Sequence, residues 1–589
     1  MRYIMVLFIL SNVLFSQDIS NEWLTKAERT NFKETSRYEE TIDYCLRLSK
    51  GSPFVHFTTF GKSGEDRDLP LLIVSKDKFF DPKKARLSSK AIIMIQNGIH
   101  AGEIEGKDAS LMLLRDIVIT KKYIHLLDSV ILLVIPIYNV DGHERFGKYN
   151  RINQNGPEEM GWRTNATNLN LNRDYMKAEA PETKAFLKLF TAWLPDFFID
   201  VHTTNGADYQ YALTYSIESQ ENVALPVRKW INEKFLPDVL ENLNRKGYPA
   251  APYIWLKDNK DPAKGMYGGT APPRLSNTYV PLHNRPALLI ETHMLKDYRT
   301  RVNAVYEFLL TVIENINSNP SSLKHSVKLA DNFTINSLEN PFPIRFETTN
   351  EPDTILFLGY KTVVEKSDIS GTEWVKWTDE PLNLNIPWFN KIKPTISITP
   401  PVAYIIPRQW KSVVEILKYH GVVVEKLKQP IEVQIEYFKF TNPKWQEKPY
   451  EGRHPVSFST EKYNATNKYP SGTYIVRLNQ RTNRVIINLL EPEAPDALIS
   501  WGYFDTIFEQ KEYAEDYVLE KLARDMLAND ENLRKEFYDK LLTDSSFASN
   551  PRVRLNFFYQ RSPYWDNQLN IYPIVRTMDT ITTQTEIVK

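Results

Sequence analysis

Ala91-Ile-Ile-Met-Ile95 is followed by Gln-Asn-Gly-Ile99 and then by His100-Ala-Gly-Glu103. The first five residues are an unbroken apolar run of strand length, the pattern of a strand covered on both faces. The next four read as a turn, and Gly98 permits a tight backbone there. Over residues 104–119 apolar side chains return at helical spacing, so the whole stretch reads strand, turn, helix. Similar apolar runs stand at residues 69–74, 130–137, 197–201 and 287–290, with helical patterns at 181–194 and 225–243. Another helical pattern covers 21–49. Alternating strands and helices predict an α/β domain with a mixed, mostly parallel central sheet flanked by helices. Ligands of such sheets bind just beyond the strand ends.

The 589-residue chain is too long for one ordinary domain. Residues 317–322 are rich in Asn, Ser and Pro, and the texture then becomes rich in Thr, Val, Ile and Pro, with strand-like runs. Near the end, 513–527 and 531–542 look helical. The expected division is a signal peptide at 1–16, a catalytic domain at 17–320 and a β-rich accessory region at 325–589 ending in helices. The signal reading rests on Arg2, the apolar stretch at 3–10 and the small Ser16 at a plausible cleavage position. It implies a secreted or periplasmic protein. No later run of ~18 apolar residues appears, so no stable membrane anchor is expected. With 73 basic and 73 acidic residues the formal charge is zero, which argues against a global attraction to nucleic acid. Cys45 is the single cysteine, so intramolecular disulfides and cysteine-built metal sites are excluded.

That leaves His and carboxylate ligands for a metal. His100 and Glu103, three apart on a tight turn, can reach one cation together. His202 ends the run Phe197-Phe-Ile-Asp-Val201 and supplies a third ligand from a neighbouring strand end. Two His and one Glu with an open position is a catalytic zinc arrangement. Glu291 closes the run Ala287-Leu-Leu-Ile290; a carboxylate there is costly unless it has a partner, Arg285 or Arg299, or a task as general base. Arg163 and Arg173 lie in a Gly/Asn-rich stretch, and their guanidinium forks match a carboxylate or a developing oxyanion.

These segments resemble, in order, the motifs of the zinc carboxypeptidases related to carboxypeptidase A. Gly61-Lys-Ser-Gly-Glu-Asp-Arg67, Asn97-Gly-Ile-His-Ala-Gly-Glu103, Asn139-Val-Asp-Gly142, Leu171-Asn-Arg173, Asp200-Val-His202 and Leu289-Ile-Glu291 carry the likeness, over about residues 35–315. The resemblance implies one zinc ion held by His100, Glu103 and His202, with Glu291 activating its water. Arg163 would stabilise the oxyanion, and Asn172 with Arg173 would hold the C-terminal carboxylate of a peptide substrate. Tyr267 is the first choice for the family's capping tyrosine and Tyr279 the second. Asn170 stands where the family usually has an Asp behind the first zinc His, so Asp174 or Asp200 is expected to substitute. Arg274, if it entered the specificity pocket, would favour acidic side chains. The same chemistry would also serve an amidohydrolase acting on peptidoglycan stem peptides or acylated amino acids. A non-catalytic binding protein, with the C-terminal region doing the main work, is a third reading.

Overall fold

A computed structural model describes residues 20–588. The expected signal at 1–16 lies outside the described residues. The central sheet contains β1 (Val55–Lys62), β2 (Asp68–Val74), β3 (Ala91–Asn97), β4 (Val130–Ile135), β5 (Phe197–Thr204), β6 (Leu213–Ile217) and β7 (Ala250–Pro252). After β8 (Trp255–Leu256) and β9 (Met266–Tyr267), which pair elsewhere, β10 (Ala287–His293) completes it. The order is β1-β2-β4-β3-β5-β10-β6-β7. β4, β3, β5 and β10 run parallel to one another, while β1 pairs antiparallel with β2, β2 with β4, and β6 with β10. This is the mixed, helix-flanked α/β sheet read from the sequence.

Every residue of β3, β4, β5 and β10 is buried, which is why these runs lack alternation. The flanking helices used here are α1 (Tyr38–Gly51), α2 (Glu105–Val118), α3 (Pro181–Trp193), α4 (Tyr298–Ser318) and α5 (Pro320–Asn336). Ile93, Ile95, Leu132, Val134, Ile199 and Ile290 share one core with Ala109 and Leu113 of α2 and Val305 and Leu309 of α4. Cys45 of α1 is enclosed in the same core, and burial pushes its thiol up to about 12, so it is chemically inert.

Some elements depart from the sequence pattern for identifiable reasons. The segment 225–243 is two helices, Leu225–Trp230 and Leu236–Arg245, joined by a wider turn at Ile231–Phe235. Pro237 has no N–H for the bond four residues back, and its ring crowds that carbonyl. The N-terminal helical pattern is interrupted: a short helix at Lys26–Arg29 ends just before Asn31 and Phe32 adopt left-handed backbone, and the long helix starts at Tyr38. β1 has no clear apolar signature because it is a half-exposed sheet edge. Residues 421–424, although Val-rich, turn through Gly421 and are followed by a three-residue strand.

The Asn/Ser/Pro-rich stretch at 317–322 is a corner between helices. Asn319 ends α4 and caps α5, its side chain accepting from Ser322 N, with Pro320 at the first helical position. The chain divides into two compact units. The first holds the described residues up to Pro400 together with Val414–Val423 and Leu478–Asp496; the second holds the remainder. The boundary drawn at 320 from composition therefore falls inside the first unit. That unit also contains β11 (Phe342–Thr348), β12 (Asp353–Lys366), β13 (Glu373–Phe389) and β14 (Ile392–Ile398); β12 and β13 form a long hairpin extended by β9 and β8. The second unit carries a seven-stranded antiparallel sheet, in which Ile431, Val433, Ile435 and Tyr437 face one side as their alternation predicts. Its helices Asp516–Asn529, Glu531–Thr543 and Pro551–Tyr559 pack around Phe537, Phe547, Phe557 and Phe558.

Candidate metal centre

His100 and Glu103 leave the C-terminal end of β3 on a turn before α2, and His202 lies near the end of β5 beside it. The turn is tight by construction. Gly98 has φ +66°, and a Cβ on Gly102 would fall 2.6 Å from Gly161 O. The three side chains are buried, and one ligand atom from each lies within 4.8 Å of the others. Glu103 Oε2 is 3.2 Å from His100 Nδ1 and 3.0 Å from His202 Nδ1. Both Nε2 atoms point away from the cluster: that of His100 lies 3.0 Å from Asn170 Oδ1, and that of His202 lies 3.0 Å from Asp200 Oδ2. Those acceptors favour the proton on Nε2 and leave the Nδ1 lone pairs facing inward.

This donor set fits a zinc ion. His100 Nδ1 makes no hydrogen bond despite its enclosed position, and Glu291 Oε2 likewise has none. Two imidazole lone pairs and a carboxylate oxygen that already accepts from Thr203 N, converging in a buried space, are what a borderline-soft divalent cation satisfies. Electrostatics favour the ligating form at two of the three residues. At His202 burial works to lower the imidazole, but Asp200 and Glu103 outweigh it and hold it well above its usual value, so a cation would have to displace a proton there. Burial works to raise the Glu103 carboxyl, but His100 and Arg151 outweigh it and hold it well below the usual range. Burial pushes His100 down to about 4, which favours the neutral, ligating form.

Asn170 does two things with one oxygen. Besides meeting His100, Oδ1 accepts from Asn172 N at 3.0 Å and so folds the turn Leu171–Arg173. The expected substitutes do not back His100. Asp200 backs His202, because positions 200 and 202 share one face of β5. Asp174 accepts from Lys177 Nζ and from the backbone of Glu179 and Ala180. Asp200 also accepts from Ser276 Oγ (2.5 Å) and Gln96 Nε2 (3.1 Å), and Asn172 Oδ1 accepts from Ser276 N.

Glu291 sits on β10 directly opposite His202 in the parallel register. Its candidate ion partners are engaged elsewhere: Arg285 with Asp331 and Arg299 with Asn31. Burial pushes its carboxyl up to about 8; His202 opposes this, and Glu103, Asp200 and Glu105 add to it. Arg163 is half-exposed, with Nη1 3.2 Å from Glu103 Oε1, and Arg173 lies close enough to depress it further once burial has acted. Arg173 Nη1 donates to Asn172 O at 2.7 Å.

Not every expected residue joins the cluster. Tyr267 is half-exposed in β9, its ring against Trp255 and beneath Lys257. Tyr279 is a core residue bonded to His283 and His420. Arg274 is tied to Asp496 through Nε at 2.8 Å and through its backbone N–H at 2.9 Å. The motifs at 61–67 and 139–142 form a clamp in which Ser63 Oγ, Glu65 N and Arg67 Nη1 meet the Asp141 carboxylate. Asn139 Nδ2 then donates to Ile99 O and Arg163 O, linking that clamp to both sides of the site.

Two neighbours escaped the sequence reading. Arg151 Nη2 is 2.8 Å from Glu103 Oε1, and its stem packs against Gly102. Its signal was a third Arg in the same polar loop. Tyr253, just after β7, feels Glu291, Glu103 and Arg163, although burial is the main cause that pushes its hydroxyl up to about 12. Nothing in its spacing marked it.

Residues 42–263 match the sequence model of the family described as Zinc carboxypeptidase. Carboxypeptidase 2 of Trichophyton rubrum is 24% identical over 485 residues, covering 79% of this chain and 83% of that protein. Probable carboxypeptidase 2 of Arthroderma benhamiae is 23% identical over 482 residues, covering 78% and 84%. Among solved structures, a metallo-carboxypeptidase from Burkholderia cenocepacia is 15% identical with a TM-score of 0.36, covering 48% of this chain and 69% of its own.

Proposed function

Since the chain belongs to the zinc carboxypeptidase family and is a metallopeptidase, we propose that it removes C-terminal residues from peptides, with His100, Glu103 and His202 holding one zinc ion. The observation that carries this reading is the convergence of both Nδ1 atoms on Glu103 Oε2, with Glu291 alongside and free of any hydrogen bond at Oε2. When bound, zinc supplies Lewis acidity that polarises a carbonyl and makes water more acidic.

The chain's own residues do the rest. Glu291, raised by burial, accepts a proton from the attacking water and passes it to the leaving amine; a base tuned toward neutral pH performs both transfers well. Arg163, the more exposed of the two arginines on Glu103, turns toward the oxygen that gains charge at the scissile carbonyl. Arg173, with Asn172 beside it, holds the free α-carboxylate and so restricts cleavage to the chain end. Tyr253 stands nearer this machinery electrostatically than Tyr267 and is the better candidate to cover the bound substrate.

The test is metal analysis combined with product identification on a mixed peptide pool containing muropeptides. The reading requires one zinc per chain and stepwise loss of C-terminal residues. Release confined to muropeptides or acylated amino acids would replace the substrate class, and absence of any zinc-dependent hydrolysis would overturn the reading.

A further inference from the structure

Glu105 is the first residue of α2, two positions beyond Glu103, and it is fully buried. A carboxylate in that position needs compensation. Its Oε1 accepts from two hydroxyls, Thr203 Oγ1 and Thr292 Oγ1, the latter at 2.5 Å. Arg301 Nε lies 3.9 Å from Oε2, and the positive end of α2 adds to the balance.

The identity of those two threonines gives the contact meaning. Thr203 directly follows His202 on β5, and Thr292 directly follows Glu291 on β10. The two strands pair in parallel, with Glu291 opposite His202 and Thr292 opposite Thr203. Strand side chains alternate, so His202 and Glu291 share one face while the threonines share the other. One carboxylate oxygen thus clips β5 to β10 directly behind the third ligand and the base. The same helix turn begins two residues after Glu103, and Thr203 N donates to Glu103 Oε2 at 3.1 Å. Arg301 extends the brace, because its Nη atoms donate to the backbone oxygens of Asn155, Gly156 and Lys296.

We propose that Glu105 is a positioning residue that sets the separation of Glu291 from the His202–Glu103 ligand pair through Thr292 and Thr203. The inference rests on the metallopeptidase reading above and adds a residue to it. Loss of the Thr292 bond frees the strand at the base, so Thr292→Val lowers kcat about ten-fold or more while KM and zinc affinity stay within two-fold. Loss of the Thr203 bond acts on the ligand side, so Thr203→Val weakens zinc about ten-fold in chelator competition.

The experiment measures kcat, KM, zinc affinity and melting temperature for Thr292→Val, Thr203→Val, Thr292→Ser, Thr203→Ser and Glu105→Gln. The serine variants restore the hydroxyl and return each value to within two-fold of the parent. Glu105→Gln, which keeps an acceptor oxygen, retains more activity than Glu105→Ala, measured alongside it. The valine variants are close to isosteric and keep the proposal testable if the Glu105 variants fail to fold. It is overturned if both valine variants match the parent in kcat and zinc affinity, or if their losses track melting temperature and serine does not restore them. Failure of the unsubstituted protein to bind zinc or cleave peptides would instead sink the functional reading.

Discussion

Replacing Glu291 with Gln changes one oxygen for an NH2 group and little else. The side chain is buried, and its Oε2 has no hydrogen bond to lose. It is not among the three converging ligands, so the zinc content of Glu291→Gln should equal that of the parent. The β5/β10 register, which fixes its position opposite His202, runs through the backbone and is untouched. What disappears is a proton acceptor, since an amide is not basic at neutral pH. A general base contributes ~10²–10⁴ in rate, or about 3–6 kcal/mol at ~1.4 kcal/mol per decade. The expected result is a fall in kcat of that size with KM within a few-fold, measured by steady-state hydrolysis alongside zinc analysis of the same sample. Retention of more than a tenth of the parent kcat would place the base elsewhere. Loss of zinc would make Glu291 a ligand. Either result refutes the assignment.

Arg163→Gln should cost ~10²–10³ in kcat, the scale of a lost oxyanion donor, with little change in KM. Arg173→Gln should raise KM at least about ten-fold for peptides with a free C-terminus, while the residual activity on amidated peptides stays unchanged; kinetics on matched substrates separate the two. Burial pushes the Glu218 carboxyl from 4.5 to about 7, so the folded protein binds that proton more tightly than the unfolded chain and stability falls as pH rises between those values. Glu218→Gln should therefore melt higher than the parent at pH 8, by up to ~3 kcal/mol, and nearly equal to it at pH 4.5. Deletion of everything after residue 400 should leave a fragment with no cooperative thermal transition by circular dichroism.

The catalytic sheet was legible because its strands are buried on both faces and therefore written as uninterrupted apolar runs. The edge strands β1 and β7 were not, because a half-covered strand needs no such run. The candidate metal cluster stood out in the sequence for a related reason. His202 directly ends a buried run, and His100 and Glu103 lie on the turn that follows one, where a polar residue stands out. Arg151 and Tyr253 come from loops, whose residues reach the site by folding back rather than by periodicity. The domain boundary misled because Asn, Ser and Pro also make helix corners, and composition alone does not distinguish a capped corner at Asn319 from a linker.

The region past residue 320 read as a separate module because no motif there belongs to the chemistry. Its contribution to the first unit is mechanical, and the contacts show how large it is. Arg274, Ser276 and Tyr279 lie on the segment that delivers Ser276 to Asp200 and Asn172. Asp496 holds Arg274 at both its side chain and its backbone, and His420 Nδ1 meets Tyr279 OH at 2.7 Å. Arg481 reaches His283 Nδ1 at 3.0 Å, and Asn483 Nδ2 donates to Thr334 O at 2.8 Å. Removing these partners strands several buried polar groups, each worth about 1–3 kcal/mol. Val485, Ile486, Ile487, Leu489 and Leu490 are almost fully enclosed as well, and each contributes roughly 1.5–3 kcal/mol by burial. Either group of losses is comparable to the ~5–15 kcal/mol that holds a domain together. A short stretch from late in the chain is therefore needed to hold the segment that, through Ser276, Asn172 and Asp200, fixes His202 and the turn Leu171–Arg173.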